Sequence, residues 1–167
     1  MARSAEDILK EAILLETRGK MFYSNVAEKC DSPAAKEIFE MMAREEDEHI
    51  KFLRDQYKNF IEKHSFFKPE APKEDPEETV ILNVLTEKIK KETNAASFEA
   101  AAISSAIDFE ENAVKLYKSR AAEATDPNEK ELYSILAAWE AEHSRLLVDL
   151  DNALREEIWN DNQFWSF

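Results

Sequence analysis

An internal repeat is the feature that most restricts the fold of this 167-residue chain. Residues 12–55 and 106–149 align without a gap at an offset of 94 positions, with 14 identities in 44. Pro33 matches Pro127, so the offset preserves the position of a helix start as well as that of the helices. The repeat predicts two related helical hairpins joined by the segment between the copies.

Each copy of the repeat contains one Glu-x-x-His sequence and one further glutamate closer to its start. Residues three apart on a helix lie on one face, one turn from each other, so both side chains can reach a single metal ion. Four carboxylates and two imidazoles from four segments form the ligand set of a di-metal carboxylate site inside a four-helix bundle. The predicted ligands are Glu16, Glu46, His49, Glu110, Glu140 and His143.

Turn-forming residues are scarce and unevenly placed. One glycine and five prolines in the chain predict few turns and long helices. Three of the prolines, Pro69, Pro72 and Pro76, fall between the two copies. The prediction is a single all-α domain, a ferritin-like four-helix bundle with one long crossover connection that holds a short extra helix. The domain is expected to span residues 1–167. Its predicted parts are a helical hairpin over 4–63, a crossover over 64–94, a second helical hairpin over 95–158 and an aromatic tail over 159–167.

Capping residues and apolar spacing predict where the helices begin and what they bury. Ser4 with Asp7, Ser32 with Pro33, and Asp126 each suit a helix start. Apolar residues then recur at helical spacing and are expected to face the core. Among those expected to be buried are Phe98 in the third long helix and Val80, Val84, Leu85 and Ile89 in the crossover helix.

Charge and cysteine content exclude several classes of protein. The net charge of −14 argues against nucleic acid and anionic membranes as partners, since both need a basic surface. Cys30 is the single cysteine, so an intrachain disulfide is impossible and a reducing compartment is expected. The first residues lack the apolar run of a signal peptide, and no stretch approaches the roughly 18 apolar residues of a membrane helix. We therefore expect a cytoplasmic protein.

The charges of the predicted site balance with two divalent metals. Four glutamates offset four positive charges, and neutral histidines add none, which makes burial tolerable. Mixed imidazole and carboxylate ligation suits iron, with manganese or zinc as substitutes. Glu46 and Glu140 are expected to bridge the metals and Glu16 and Glu110 to be terminal, with one histidine on each metal.

Two interpretations are weighed for Tyr23, Tyr117 and Trp139, which lie near the predicted ligands in the sequence. Tyr23 and Tyr117 lie two turns after a candidate ligand and could each donate a hydrogen bond to a carboxylate; the alternative is a core tyrosine without that role. Glu45 and Glu48 are expected to point away from the metals. Trp139 is expected to pack rather than to relay electrons.

Four stretches of the chain resemble a known family. They are Leu-Leu-Glu-Thr-Arg-Gly-Lys-Met-Phe-Tyr at 14–23, Glu-Glu-Asp-Glu-His at 45–49, Phe-Glu-Glu-Asn-Ala-Val-Lys-Leu-Tyr at 109–117 and Trp-Glu-Ala-Glu-His at 139–143. Over about residues 4–155 the chain resembles the ferritin-like domain of rubrerythrins and their single-domain relatives. The resemblance implies a di-iron site that reduces hydrogen peroxide.

Two departures from that family affect the expected chemistry. A rubredoxin domain needs paired Cys-x-x-Cys motifs, which one cysteine cannot form. We therefore expect either an external electron donor or a different reaction cycle. Rubrerythrins also carry an extra glutamate three residues after the ligand of the third long helix, and Ala113 stands there.

The leading hypothesis is a di-iron oxidoreductase that reduces hydrogen peroxide or dioxygen. One alternative is a non-enzymatic iron-binding or storage protein with ferroxidase-like chemistry, and another is a metal-free bundle that assembles through its aromatic tail. We expect at least a homodimer, in which the long connection would permit helix exchange between subunits.

Overall fold

Five α-helices make up the chain in the computed structural model, which describes residues 4–71, 76–92 and 97–161, the side chains of 76–80 and 157–161 excepted. The helices are α1 (Ala5–Lys29), α2 (Pro33–Lys63), α3 (Pro76–Glu92), α4 (Phe98–Glu123) and α5 (Pro127–Asp161). Within the described ranges there is no strand. The predicted all-α fold is therefore confirmed. The predicted aromatic tail falls almost entirely outside the described residues.

The long helices pair as the repeat predicts. Helix α1 packs along α2, α4 packs along α5, and α3 contacts both α2 and α5. The crossover helix thus lies against the bundle and contacts one helix of each hairpin.

Side-chain caps fix the helix starts where the sequence predicts them. The hydroxyl of Ser4 accepts the N–H of Asp7, whose carboxylate accepts the N–H of Ser4 in return. Ser32 caps α2 with Pro33 at the first helical position. The carboxylate of Asp126 accepts the N–H groups of the second and third residues of α5. These bonds satisfy backbone donors that a helix start leaves unpaired.

Two apolar clusters fill the bundle, one towards each end. The first contains Ile38 and Met42 of α2 together with Leu147 of α5. The second contains Leu53 of α2 and Leu136 of α5. On each long helix the predicted ligands fall between the residues of the two clusters. A polar layer therefore lies in mid-bundle with apolar packing on both sides, which keeps water away from it.

The crossover helix buries a narrower face than the sequence predicts. Leu85 and Ile89, one turn apart, are buried in the first apolar cluster. Val84 is 50% exposed and Phe98 is 45% exposed, so the prediction that both are buried was wrong. Helix α3 packs on one side only, which leaves Val84 beside the buried stripe. Phe98 is the first residue of α4, where the turn has few neighbours. Val80 lies outside the described side chains.

Two carboxylates at the end of the crossover bind the turn between α1 and α2. Oε2 of Glu92 accepts the Ser32 hydroxyl at 2.7 Å and the Ala34 N–H at 3.2 Å. Oε1 of Glu99 accepts the N–H of Asp31 at 2.8 Å and that of Ser32 at 3.2 Å. Negative charge at a helix N-terminus is favourable. Because Glu92 ends α3 and Glu99 lies in the first turn of α4, these bonds fix both helices against the first hairpin. Neither contact is evident from the sequence pattern.

Candidate metal centre

Six buried side chains from the four long helices meet in the middle of the bundle. Each is at most 6% exposed. They are the six predicted ligands, Glu16, Glu46, His49, Glu110, Glu140 and His143. Helices α2 and α5 each supply a glutamate and a histidine three residues apart, while α1 and α4 each supply one glutamate.

The six side chains form two overlapping groups of potential ligands. The ligand atoms of Glu16, Glu46, His49 and Glu140 all lie within 4.8 Å of one another. A second group replaces the α1 glutamate and His49 by Glu110 and the histidine of α5, at the same spacing. Glu46 and Glu140 belong to both groups. Each group could hold one metal ion, and two such ions would share these two carboxylates.

Both imidazoles turn Nδ1 towards the carboxylates. Nδ1 of His49 lies 3.0 Å from Oε2 of Glu16 and 3.0 Å from Oε1 of Glu140. Nδ1 of His143 lies 3.5 Å from Oε1 of Glu110 and 3.6 Å from Oε2 of Glu140. One nitrogen of each ring can therefore act as a ligand in its own group.

Several polar atoms at the centre have no hydrogen-bond partner among the described residues. Both carboxylate oxygens of Glu46 are in this state, as are Oε2 of Glu110 and Nδ1 of His143. Buried polar atoms without partners are costly and rare, so a cluster of them in one layer calls for a bound group. Two divalent cations would bind these atoms and offset the four carboxylate charges. The residues fit a di-metal site.

Burial and mutual repulsion act on the carboxylates of α1 and α4. Burial, together with the charge of Glu140, raises the pKa of Glu16 well above its ordinary value. The same two causes raise the pKa of Glu110 to about 8, against the opposing effect of the α5 histidine. Burial and repulsion therefore favour the protonated form of both carboxyl groups, and bound cations would replace these protons.

The shared carboxylates and the histidines shift each other's protonation. Burial acts to raise the pKa of Glu46 and Glu140, but contacts with both histidines outweigh it and leave both pKa values lowered. Burial acts to lower the pKa of His49 and His143, but contacts with the carboxylates leave both raised. The shared carboxylates and the imidazoles therefore favour each other's charged forms, and bound cations would take the place of the imidazole protons.

The two tyrosines connect opposite halves of the repeat. The hydroxyl of Tyr23 on α1 donates to Oε1 of Glu110 on α4, and the hydroxyl of Tyr117 on α4 donates to Oε1 of Glu16 on α1. Burial and the neighbouring carboxylates raise the pKa of both tyrosines, so the hydroxyls stay protonated and can donate. Each hydrogen bond orients a carboxylate of the cluster. The spacing in sequence did not indicate that the pairs cross between hairpins.

Gly19, the single glycine, makes room for the shared carboxylate of α2. A Cβ atom there would lie 3.1 Å from Cδ of Glu46 and 3.0 Å from Cε1 of Phe109. Any larger residue would press on the carboxylate or the ring. The position of Gly19 one turn after Glu16, on the ligand-bearing face of α1, is the sequence signal for this role, which the scarcity of glycine alone did not indicate.

Glu45 does not point away from the cluster, so that prediction was wrong. Its Oε2 lies 2.8 Å from Nε2 of His143, on the opposite side of the ring from Nδ1. Glu48 is exposed and bonds to Lys51, in agreement with its prediction. Helices α2 and α5 approach closely enough in the bundle for a residue beside the inward stripe to reach the neighbouring helix. The sequence signal that could have indicated this contact is the position of Glu45 directly before Glu46, one of the two glutamates shared by both ligand groups.

Trp139 packs on a candidate ligand. Its ring is stacked on that of His49, with centroids 4.6 Å apart and planes 8° apart, and meets Phe52 edge-on.

Ala113 is 1% exposed, so the position of the extra glutamate found in rubrerythrins is buried without a carboxylate. The described part of the centre has six candidate ligands and no seventh carboxylate at that place.

Comparison with known proteins gave one match. The sequence model of the rubrerythrin family matches residues 7–150, which include all six clustered residues. Searches of curated proteins and of solved structures found no match. In the part of the chain that the structure describes, no helix is both long enough and apolar enough to cross a membrane.

Proposed function

Because this chain belongs to the rubrerythrin family, we propose that its carboxylate–histidine cluster binds two iron ions and reduces hydrogen peroxide. The observation that carries the proposal is the pair of overlapping ligand groups with unpartnered oxygens, shared through Glu46 and Glu140. Iron suits the mixed imidazole and carboxylate ligands, and manganese or zinc can substitute in the same donor set.

The side chains of the cluster prepare the site for a small oxidant. Six protein ligands for two metal ions leave coordination positions open. Two bound iron ions would supply the two electrons that, with two protons, convert hydrogen peroxide into two molecules of water. Tyr23 and Tyr117 hold the terminal carboxylates in place through their hydroxyl groups. The apolar clusters on both sides exclude bulk water, which strengthens the electrostatic interactions within the layer.

Electrons would come from outside this chain. A single cysteine provides no paired thiolates for a rubredoxin-type iron centre within these 167 residues. We propose a separate one-electron donor protein as the reductant, and a homodimer as the assembled form. Light scattering tests the dimer, and a monomer at working concentrations would contradict it.

Stopped-flow oxidation tests the choice of oxidant. The iron-loaded protein, prepared without oxygen, is mixed with peroxide or with dioxygen at equal concentration. The proposal requires the peroxide reaction to be much faster. A dioxygen reaction of equal or greater rate would refute the assignment as a peroxide reductase.

Metal stoichiometry tests the ligands independently of the reaction. His49→Ala and His143→Ala should each reduce the bound iron from two ions to one, because each removes one imidazole. His64→Asn is the matched control, since His64 is exposed, ends α2 in a left-handed conformation with φ of 52°, and lies outside the cluster. Two ions retained by both cluster variants would refute the ligand assignment.

The second candidate is an iron-binding or storage protein whose oxidant is dioxygen. Ala113 favours it, because the buried position of the extra glutamate of rubrerythrins lacks a carboxylate. Iron uptake well above two ions per chain, measured after aerobic loading, would support storage. A limit of two ions would exclude it.

A further inference from the structure

The two halves of the metal centre are matched in almost every contact. Each group contains one imidazole, one unshared glutamate and the same two shared glutamates. Each unshared glutamate accepts a tyrosine hydroxyl from the opposite hairpin. The two halves differ in chemistry in the groups behind the imidazoles.

The residue before each shared glutamate breaks this symmetry. The 94-residue offset pairs Glu45 with Trp139, and each contacts the histidine of the other hairpin. Glu45 places a carboxylate oxygen 2.8 Å from Nε2 of His143. Trp139 instead stacks its ring on His49. Among the described residues, no carboxylate lies against Nε2 of His49.

The contact with Glu45 determines which nitrogen of His143 is available to a metal. An ionised carboxylate can only accept, so Nε2 must donate its hydrogen to Oε2. In the neutral ring the lone pair is then on Nδ1, the atom that faces the cluster without a hydrogen-bond partner. A carboxylate behind a ligating imidazole also makes the ring a stronger donor, and losing such a partner typically lowers metal affinity by 10–100-fold.

We infer that Glu45 is a positioning residue that makes the two metal positions unequal. The position at His143 binds a divalent metal ion more tightly and is filled first, and the position at His49 is filled second. Glu45 acts through the imidazole and is not itself a ligand. This inference rests on the proposed function, because it requires that the cluster binds two metal ions.

A titration of the metal-free protein with Co²⁺ tests the inference without any turnover. Wild type should bind two ions in two resolved steps. Glu45→Ala should weaken the first step by about 10–100-fold and bring the steps together. Glu45→Gln keeps an oxygen acceptor for Nε2 and should lose less. Glu48→Ala is the matched control, because it removes the same charge from an exposed site three residues away and should leave both steps within about twofold of wild type.

Two further variants identify the tighter position. His143→Ala should remove the tight step and leave the weak one, and His49→Ala should do the opposite. Circular dichroism of every variant checks that it folds, and the glutamine variant provides the test if the alanine variant does not. The inference is overturned if Glu45→Ala and Glu45→Gln keep the wild-type first step, or if His143→Ala keeps the tight step.

The outcomes separate this inference from the proposed function. Two ions bound in one unresolved step by wild type would overturn the inequality alone. Binding of no Co²⁺ by wild type would overturn both the inequality and the di-metal proposal.

Discussion

Replacing Glu110 by glutamine is expected to stabilise the metal-free protein while weakening metal binding. The carboxyl group is fully buried, and burial raises its pKa from 4.5 to about 8. Glutamine has nearly the same shape and keeps an oxygen that can accept the hydroxyl of Tyr23. It cannot ionise, and it is a poorer metal ligand than a carboxylate.

The magnitude follows from the shift in pKa. Because the folded pKa lies above the unfolded value, the folded protein holds this proton more tightly. The stability linked to it is therefore present at low pH and is lost as the pH rises from 4.5 towards 8. At about 1.4 kcal/mol per pH unit, carrying Glu110 costs about 3 kcal/mol at pH 7 and less than about 1 kcal/mol at pH 5. Glutamine avoids this cost, which corresponds to about 6–12 °C in melting temperature at pH 7.

Urea unfolding of chelator-treated protein at pH 5 and at pH 7 measures the effect. Glu111→Gln is the matched control, because Glu111 is exposed and pairs with Lys115 one turn away at 3.4 Å. Such a pair contributes about 0.3–0.5 kcal/mol, so the control should be slightly destabilised at both pH values. Iron-loaded Glu110→Gln should lose its advantage over wild type, since weaker binding gives less stabilisation by the metal.

Both the sign and the pH dependence of the change in unfolding free energy are expected outcomes. A metal-free Glu110→Gln protein that is less stable than wild type at pH 7 would refute it. A gain of equal size at pH 5 and pH 7 would also refute it, because the raised pKa of Glu110 could not then be the cause.

Three further substitutions test contacts around the centre. Gly19→Ala should lower metal affinity at least tenfold, because a Cβ atom there would lie 3.1 Å from Cδ of Glu46. The melting temperature should not rise, because this close contact offsets the gain of about 1 kcal/mol that alanine brings to a helix. Unchanged affinity in a metal titration would contradict the prediction. Tyr117→Phe leaves an oxygen of Glu16 without its donor and should weaken binding by about 10–100-fold in calorimetry. Wild-type affinity would show that this hydrogen bond does not orient the ligand. Glu99→Ala should lower the free energy of unfolding in urea by about 1–3 kcal/mol, because two backbone N–H groups before α2 lose their acceptor. The metal stoichiometry should stay at two, and loss of metal would argue against a purely structural role.

The helices and their order followed from the sequence because local rules govern them. The Ser4–Asp7 capping box, the Ser32–Pro33 start and the 94-residue offset all depend on residues close together in the chain or on simple alignment. The Glu-x-x-His spacing likewise places two side chains on one helix face without reference to other helices. Burial at the edges of these faces was less predictable, as Val84 and Phe98 show, because it depends on which side of a helix meets a neighbour.

Contacts between hairpins were decided by the tertiary structure alone. The sequence indicated that Tyr23 could reach a carboxylate, but the packing of α1 against α4 selects Glu110. The same holds for Glu45, which crosses from α2 to His143 on α5. These pairings depend on how far each helix is rotated and shifted along the bundle axis, and side chains from all four helices set those values together. A spacing within one helix carries no information about the rotation of its neighbour. The candidate ligands and the two tyrosine donors could therefore be predicted from the sequence, but the carboxylate that each tyrosine contacts and the role of Glu45 could not.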